Sequence, residues 1–148
     1  MLTSRLMEDI RNKRGLAYSV ASAFDARKYP GPFLVVLQTK NRSAPEAMKA
    51  AMEDVERMRT ELVTEKELDE AKQYLIGSFP QRLSTQERIA SFYAQVEYYG
   101  LGLDYPGKYA SLIGGVTRED VLRVGRAYVH PDASVIVIVA DLKEAGME

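Results

Sequence analysis

Two runs of this chain have almost no polar face. Phe33-Leu34-Val35-Val36-Leu37-Gln38-Thr39 and Ala133-Ser134-Val135-Ile136-Val137-Ile138-Val139-Ala140 are apolar at odd and even positions alike. Side chains of a strand alternate between two faces, so a run that is apolar at both parities belongs in a sheet covered on both sides. A third strand is expected from about Ala17 to Ala26, where Tyr18, Val20, Ser22 and Phe24 alternate with smaller residues. The turn Arg27-Lys28-Tyr29-Pro30-Gly31-Pro32 joins it to the Phe33 run, which makes the two an antiparallel hairpin. Three strands fall short of the usual sheet of about 5–6. The sheet is therefore incomplete in this chain, and its remaining strands are missing or come from another copy.

Between the two apolar runs the pattern is helical. Ser43-Ala44-Pro45-Glu46 has the form of a capping box with a proline in the first turn, and Ala47, Ala51, Val55 and Met58 follow as a stripe. Thr64-Glu65-Lys66-Glu67 opens a second helix with Leu68, Ala71, Leu75 and Phe79 inward, broken or kinked at Pro80. Ser84-Thr85-Gln86-Glu87 opens a third, with Ile89, Phe92, Tyr93, Val96 and Tyr99 on its apolar face. After the loop Gly100–Pro106 comes a short helix ending at Gly114-Gly115. Thr117-Arg118-Glu119-Asp120 then caps a last helix that buries Val121, Leu122, Val124, Gly125 and Tyr128. The tail from Asp141 to Glu148 is expected to fray. The fold class is α+β: a mainly antiparallel sheet with helices packed on one face, in one partial domain over residues 1–148.

The start of the chain is a helix, a stop and a strand in quick succession. Leu2, Leu6 and Ile10 recur at helical spacing with Met7 beside them, and Arg11, Lys13 and Arg14 crowd the last turn, which suits the helix dipole. Gly15 ends the helix, and Tyr18 opens the strand. Arginine at a helix end can aim planar donors at a carbonyl or carboxylate, and a tyrosine hydroxyl can reach the same oxygen. Periodicity alone favours dipole compensation for the arginines and packing for the tyrosine.

Other chemistry is scarce. With no cysteine and one histidine, His130, the chain has neither a thiolate site nor the usual three-ligand zinc set. His130, before Pro131, reads as surface structure. The carboxylates Glu53, Asp54, Glu56, Glu65, Glu67, Asp69 and Glu70 read as solvated helix faces. No serine has a base at hand, and Gly100, Gly102 and Gly107 are wrongly spaced for a phosphate loop. A tyrosine group at 93, 98, 99, 105 and 109 reads as packing. A net charge of -1 gives no footprint for nucleic acid. No apolar run approaches the roughly 20 residues of a membrane span, and Met1-Leu2-Thr3-Ser4-Arg5 does not resemble a signal peptide. A soluble domain is expected, and the compartment stays open, since a chain without cysteine suits cytosol or periplasm alike.

Ser4-Arg5-Leu6 followed by Ile10-Arg11-Asn12-Lys13-Arg14-Gly15-Leu16-Ala17-Tyr18-Ser19-Val20 resembles the segment that opens the later part of the non-zinc domain in the inverted zinc peptidases, the family of pitrilysin, insulysin and the mitochondrial processing peptidase. Glu67–Pro80 is similar to that domain's long helix. Thr117–Val121, Ala127–Asp132 and the closing apolar run resemble its end, so the likeness spans nearly the whole chain. The resemblance implies two domains of one fold around a chamber. One carries H-x-x-E-H and a distant glutamate that bind zinc; the other faces the substrate with an arginine seven positions before a tyrosine. That spacing selects Arg11 and Tyr18, leaving Lys13 and Arg14 to the dipole.

H-x-x-E-H is absent here, so the implied metal-ligand set of this chain is empty, no cofactor is bound by it, and zinc is expected in the partner. The implied function is a substrate-binding, zinc-lacking domain of a zinc endopeptidase, inactive alone. Its implied partners are a zinc-bearing H-x-x-E-H domain or subunit and a peptide substrate, with homo-oligomerisation through open sheet edges as a further expectation. The alternative is a structural or assembly subunit of the same fold with no peptidase role.

Overall fold

The backbone path in a computed structural model is α+β, mostly helical with one two-stranded antiparallel sheet. It describes residues 4–29 and 31–147. Leu2 of the first apolar face, the start at residues 1–3, Pro30 of the turn and Glu148 of the tail lie outside these. The described chain divides into two compact units, residues 4–62 with 122–147, and residues 63–121.

The first unit is built on the hairpin. β1 (Ala17–Phe24) pairs with β2 (Phe33–Thr39) from Ala17 opposite Thr39 to Phe24 opposite Phe33, whose rings lie 4.6 Å apart. α1 (Ala44–Thr60) and a π-helical coil, Met7–Lys13, cover one face. Their small and aliphatic side chains make the core: Leu6, Ile10, Ala17, Val20, Ala47, Ala50 and Ala51, with Leu37 and Val35 against them. Alanines on α1 let the helix lie close to the sheet, and Ile10, fully buried, fills the space under the coil. The expected burial of β2 on both faces is not found. Its inward residues are half-buried while Leu34 and Val36 are exposed, because a two-stranded sheet has helices on one side only.

Residues 133–140, expected as a third strand, form none; Ala133 ends a tight turn, Pro131–Ala133. Among the described residues the backbone of 135–140 makes no hydrogen bond, and neither strand of the hairpin pairs with it. A ladder needs a neighbour, and this run pairs with neither edge of the hairpin. The side chains still alternate: Val135, Val137 and Val139 are 91, 81 and 96% exposed, Ile136 and Ile138 52 and 36%. The tail is ordered where fraying was expected. Asp141 caps a four-residue helix, α6 (Leu142–Ala145), and Gly146 closes it at φ 66°. Glu144 accepts from Asn41 at 2.7 Å and pairs with Arg42 at 3.5 Å.

The second unit is a helical cluster. α2 (Glu65–Ser78) begins in a reciprocal capping box between Thr64 and Glu67 and passes at Pro80 into a tight turn, Phe79–Leu83. α3 (Gln86–Tyr98) is capped by Thr85, and α4 (Tyr105–Gly114) follows. Phe79, Phe92, Val96 and Tyr109 form the core, with the Phe79 and Tyr109 rings stacked 4.1 Å apart. Of the five apolar residues expected inward on α3, Phe92 and Val96 are buried; Ile89, Tyr93 and Tyr99 are exposed. α5 (Arg118–Tyr128), whose residues from 122 on belong to the first unit, is capped by Thr117 and Asp120, buries Gly125 and leaves Tyr128 exposed, against expectation. Ser43 also fails as a cap: it sits in a tight turn, Asn41–Ser43, with helical dihedrals and no side-chain bond to the helix.

Candidate functional site

The expected helix before Gly15 is wound with five-residue bonds. Arg14 N–H donates to Asp9 O at 3.0 Å, and Leu16 N–H reaches Ile10 O at 2.9 Å as the coil unwinds through Gly15, φ 64°. The Arg14 guanidinium repeats the same span, pairing with the Asp9 carboxylate at 2.8 Å. Residues five apart are not neighbours on an α-helix, where three- and four-residue spacings meet. This ion pair therefore belongs to the wider coil. π-helical segments are rare and concentrate at functional sites.

A second irregularity follows at once. Ala17 is opposite Thr39 and Ser19 is opposite Gln38, so Tyr18 is an extra residue with nothing across from it. That bulge explains the burial of both Ala17 and Val20, three apart, where an even strand would bury residues two apart. Bulges bend a strand and re-aim a side chain. The Thr39 hydroxyl fixes the junction by donating to Leu16 O at 2.5 Å.

Arg11 lies on the outside of the coil and is exposed; Tyr18 is 77% exposed. Neither makes a hydrogen bond or ion pair among the described residues, to each other or to any neighbour. The residues around Arg11 are committed: Asn12 donates to Glu8 at 2.9 Å, and Arg14 holds Asp9. Lys13 is exposed without a partner as well, whereas Arg14 is the arginine spent on structure. The packing that periodicity alone favoured for Tyr18 is not what its exposure describes. Its hydroxyl and the Arg11 guanidinium are donors left exposed at this junction.

Among the described residues no three histidine, aspartate or glutamate side chains gather as a metal-ligand set, and His130 is exposed, its Nε2 3.2 Å from Ala127 O. The donor set does not fit zinc.

One group read as solvated is not. Asp54 is 3% exposed. Its Oδ1 accepts from Arg57 at 3.2 Å, while Oδ2 is buried without a partner. Burial first, and the Asp9 carboxylate second, raise its proton affinity above the ordinary aspartate range, against the opposing charges of Arg57 and Arg5. Its position was the available signal: 54 falls on the same helical face as Ala47, Ala50 and Ala51.

Known proteins resemble this chain in the same region. The family profile described as peptidase M16 inactive domain matches residues 2–75, half of the chain. A curated relative, the non-peptidase homolog YmxG of Helicobacter pylori, is 30% identical over 142 residues, covering 95% of this chain and 33% of its own length. A solved peptidase M16 inactive domain from Pseudomonas fluorescens superposes with a TM-score of 0.79 at 29% identity, over 89% of this chain and 31% of that one. A protease from Helicobacter pylori shares the fold, with a TM-score of 0.75 at 20% identity over 88% of this chain and 32% of that one. The chain thus spans about a third of the length of the relatives it matches.

Proposed function

The chain belongs to the peptidase M16 inactive-domain family, and we propose that it is the substrate-binding half of a zinc endopeptidase site whose metal lies in a partner. The observation that carries this is the junction: two donors, Arg11 and Tyr18, project without partners from a π-helical coil and a bulge, back to back. Each irregularity gives up regular hydrogen bonding, and a fold keeps such features where side-chain placement matters.

In this reading the partner brings zinc and the activation of water, as the H-x-x-E-H motif implies. The residues here bind and orient. Arg11 offers a planar fork to a peptide carbonyl or carboxylate, fixing the backbone of an extended substrate. Tyr18 donates its hydroxyl to the carbonyl oxygen as negative charge develops on it in the tetrahedral intermediate. Both donors are placed before the reaction, so little reorganisation is needed when the charge forms.

The test is turnover of an unfolded peptide by the complex with its zinc-bearing partner. Arg11→Ala and Tyr18→Phe should each lower kcat/KM by about 10²- to 10³-fold, the range for one lost transition-state donor, with the partner's zinc content unchanged. Unchanged turnover in both variants would sink the assignment. The chain alone should cleave nothing.

The likeness to a protein named as a non-peptidase homolog favours a second reading, an assembly or structural role for the same fold. It predicts a complex that forms normally, cleaves no peptide, and is indifferent to both substitutions.

A further inference from the structure

We propose that Asp54 is a proton-operated latch beneath the Met7–Lys13 coil: with its carboxyl protonated the coil keeps its five-residue register, and loss of the proton sets Asp54 against Asp9, loosens the coil and redirects Arg11. This regulation rests on the reading of Arg11 as a substrate group.

The geometry carries the idea. Asp54 lies on the face of α1 that packs under the coil, among Ala47, Ala50 and Ala51. It is the charged residue in an otherwise apolar buried row of that helix. Arg57 satisfies Oδ1, but the partnerless, buried Oδ2 is where a proton removes an unpaired charge. The charged groups facing it are Asp9 and Arg5 from the coil side and Arg57 from its own helix. Arg57 is shared, since Glu61 also accepts from it at 3.1 Å, and Arg14 pairs with Asp9 at 2.8 Å and reaches Glu53 of α1 at 4.0 Å. Neither cation belongs to Asp54 alone.

Asp9 is the connecting residue. Its carbonyl takes the five-residue bond from Arg14, and its carboxylate takes the Arg14 side chain. Anything that repels Asp9 acts on the bond that defines the coil, two residues from Arg11. On deprotonation the proton passes from Asp54 to solvent, leaving two neighbouring carboxylates in the α1–coil interface. The like charges then favour separation. The direction follows: the latch is closed in acid and opens as pH rises beyond the ordinary aspartate value of 3.8.

The experiment is an NMR titration of the full chain that follows the Asp54 side-chain carboxyl carbon together with the amides of Arg14 and Leu16. All three should share one inflection, above 3.8. Asp54→Asn should abolish that inflection at both amides, and Asp9→Asn should move the Asp54 midpoint back toward the ordinary value. Flat amides through the Asp54 titration overturn the proposal, as does an unchanged inflection in Asp54→Asn. Should Asp54→Asn fail to fold, the native chain and Asp9→Asn decide alone. No substrate enters these measurements, so they stand or fall independently of turnover by Arg11.

Discussion

Gly125 sets how closely α5 can approach α1. A Cβ built there would lie 2.3 Å from Met58 O and 3.1 Å from the carbonyl carbon, both backbone atoms that no rotamer change can move aside. Nearby, Arg126 donates to Arg59 O at 2.9 Å, so the same crossing also feeds a late carbonyl of α1. Gly125→Ala should therefore cost about 1–3 kcal/mol, the overpacking range, read as a lower denaturation midpoint with an unchanged slope; an unchanged midpoint refutes the close contact. Asp54 gives the second residue-scale prediction. A carboxyl whose folded proton affinity is raised contributes its stability below the unfolded value, and that stability is lost as pH rises through the folded value. The Tm of the native chain should thus fall relative to Asp54→Asn as pH rises from 3.8 through the folded value, and the two should converge in acid. A gap that widens in acid contradicts the sign.

At the level of elements, local chemistry was readable where it was self-contained. Thr64 with Glu67, Thr85 and Thr117 with Asp120 cap their helices because both partners lie within one turn of chain. Ser43 carries the same letters and does not cap, since its backbone is held in a helical turn by a bond to Lys40 O. The hairpin was legible from alternation and a Pro-Gly turn. The coil and the bulge were not, although they define the candidate site: a seven-residue stretch with apolar Leu6 and Ile10 fits an α-helix equally well, and a bulge is set by how two strands register. The spacing of Asp9 and Arg14 was a faint signal, five where a helix would pair three or four. Periodicity alone favoured packing for Tyr18, whereas the resemblance set it facing a substrate; the extra residue at the bulge turns it outward. Asp54 was discounted with its neighbours Glu53 and Glu56, whose side chains are half exposed. Charge composition was read there in place of helical phase.

For the whole molecule, the sheet count made from sequence and the exposure seen in the fold describe one deficit. Residues 134–140 have strand composition and strand alternation but no ladder, and the outer face of β2 shows Leu34 and Val36 uncovered. An unpaired apolar strand presents donors and acceptors that any similar strand can satisfy, and such edges associate unless charge or a bulge blocks them. No lysine, arginine, aspartate or glutamate interrupts 133–140. Charge placed at highly exposed positions should block pairing without touching the core. Val137→Lys combined with Val139→Lys is expected to leave the Tm of the chain nearly unchanged, since substitutions at sites this exposed usually stay within about 0.5 kcal/mol. Sedimentation velocity over increasing concentration supplies the comparison. The native chain should show a mean sedimentation coefficient that climbs with concentration, and the double variant should not. Equal curves for the two would place the association elsewhere, or show none, and would mean that the exposed valines are covered by something other than strand pairing.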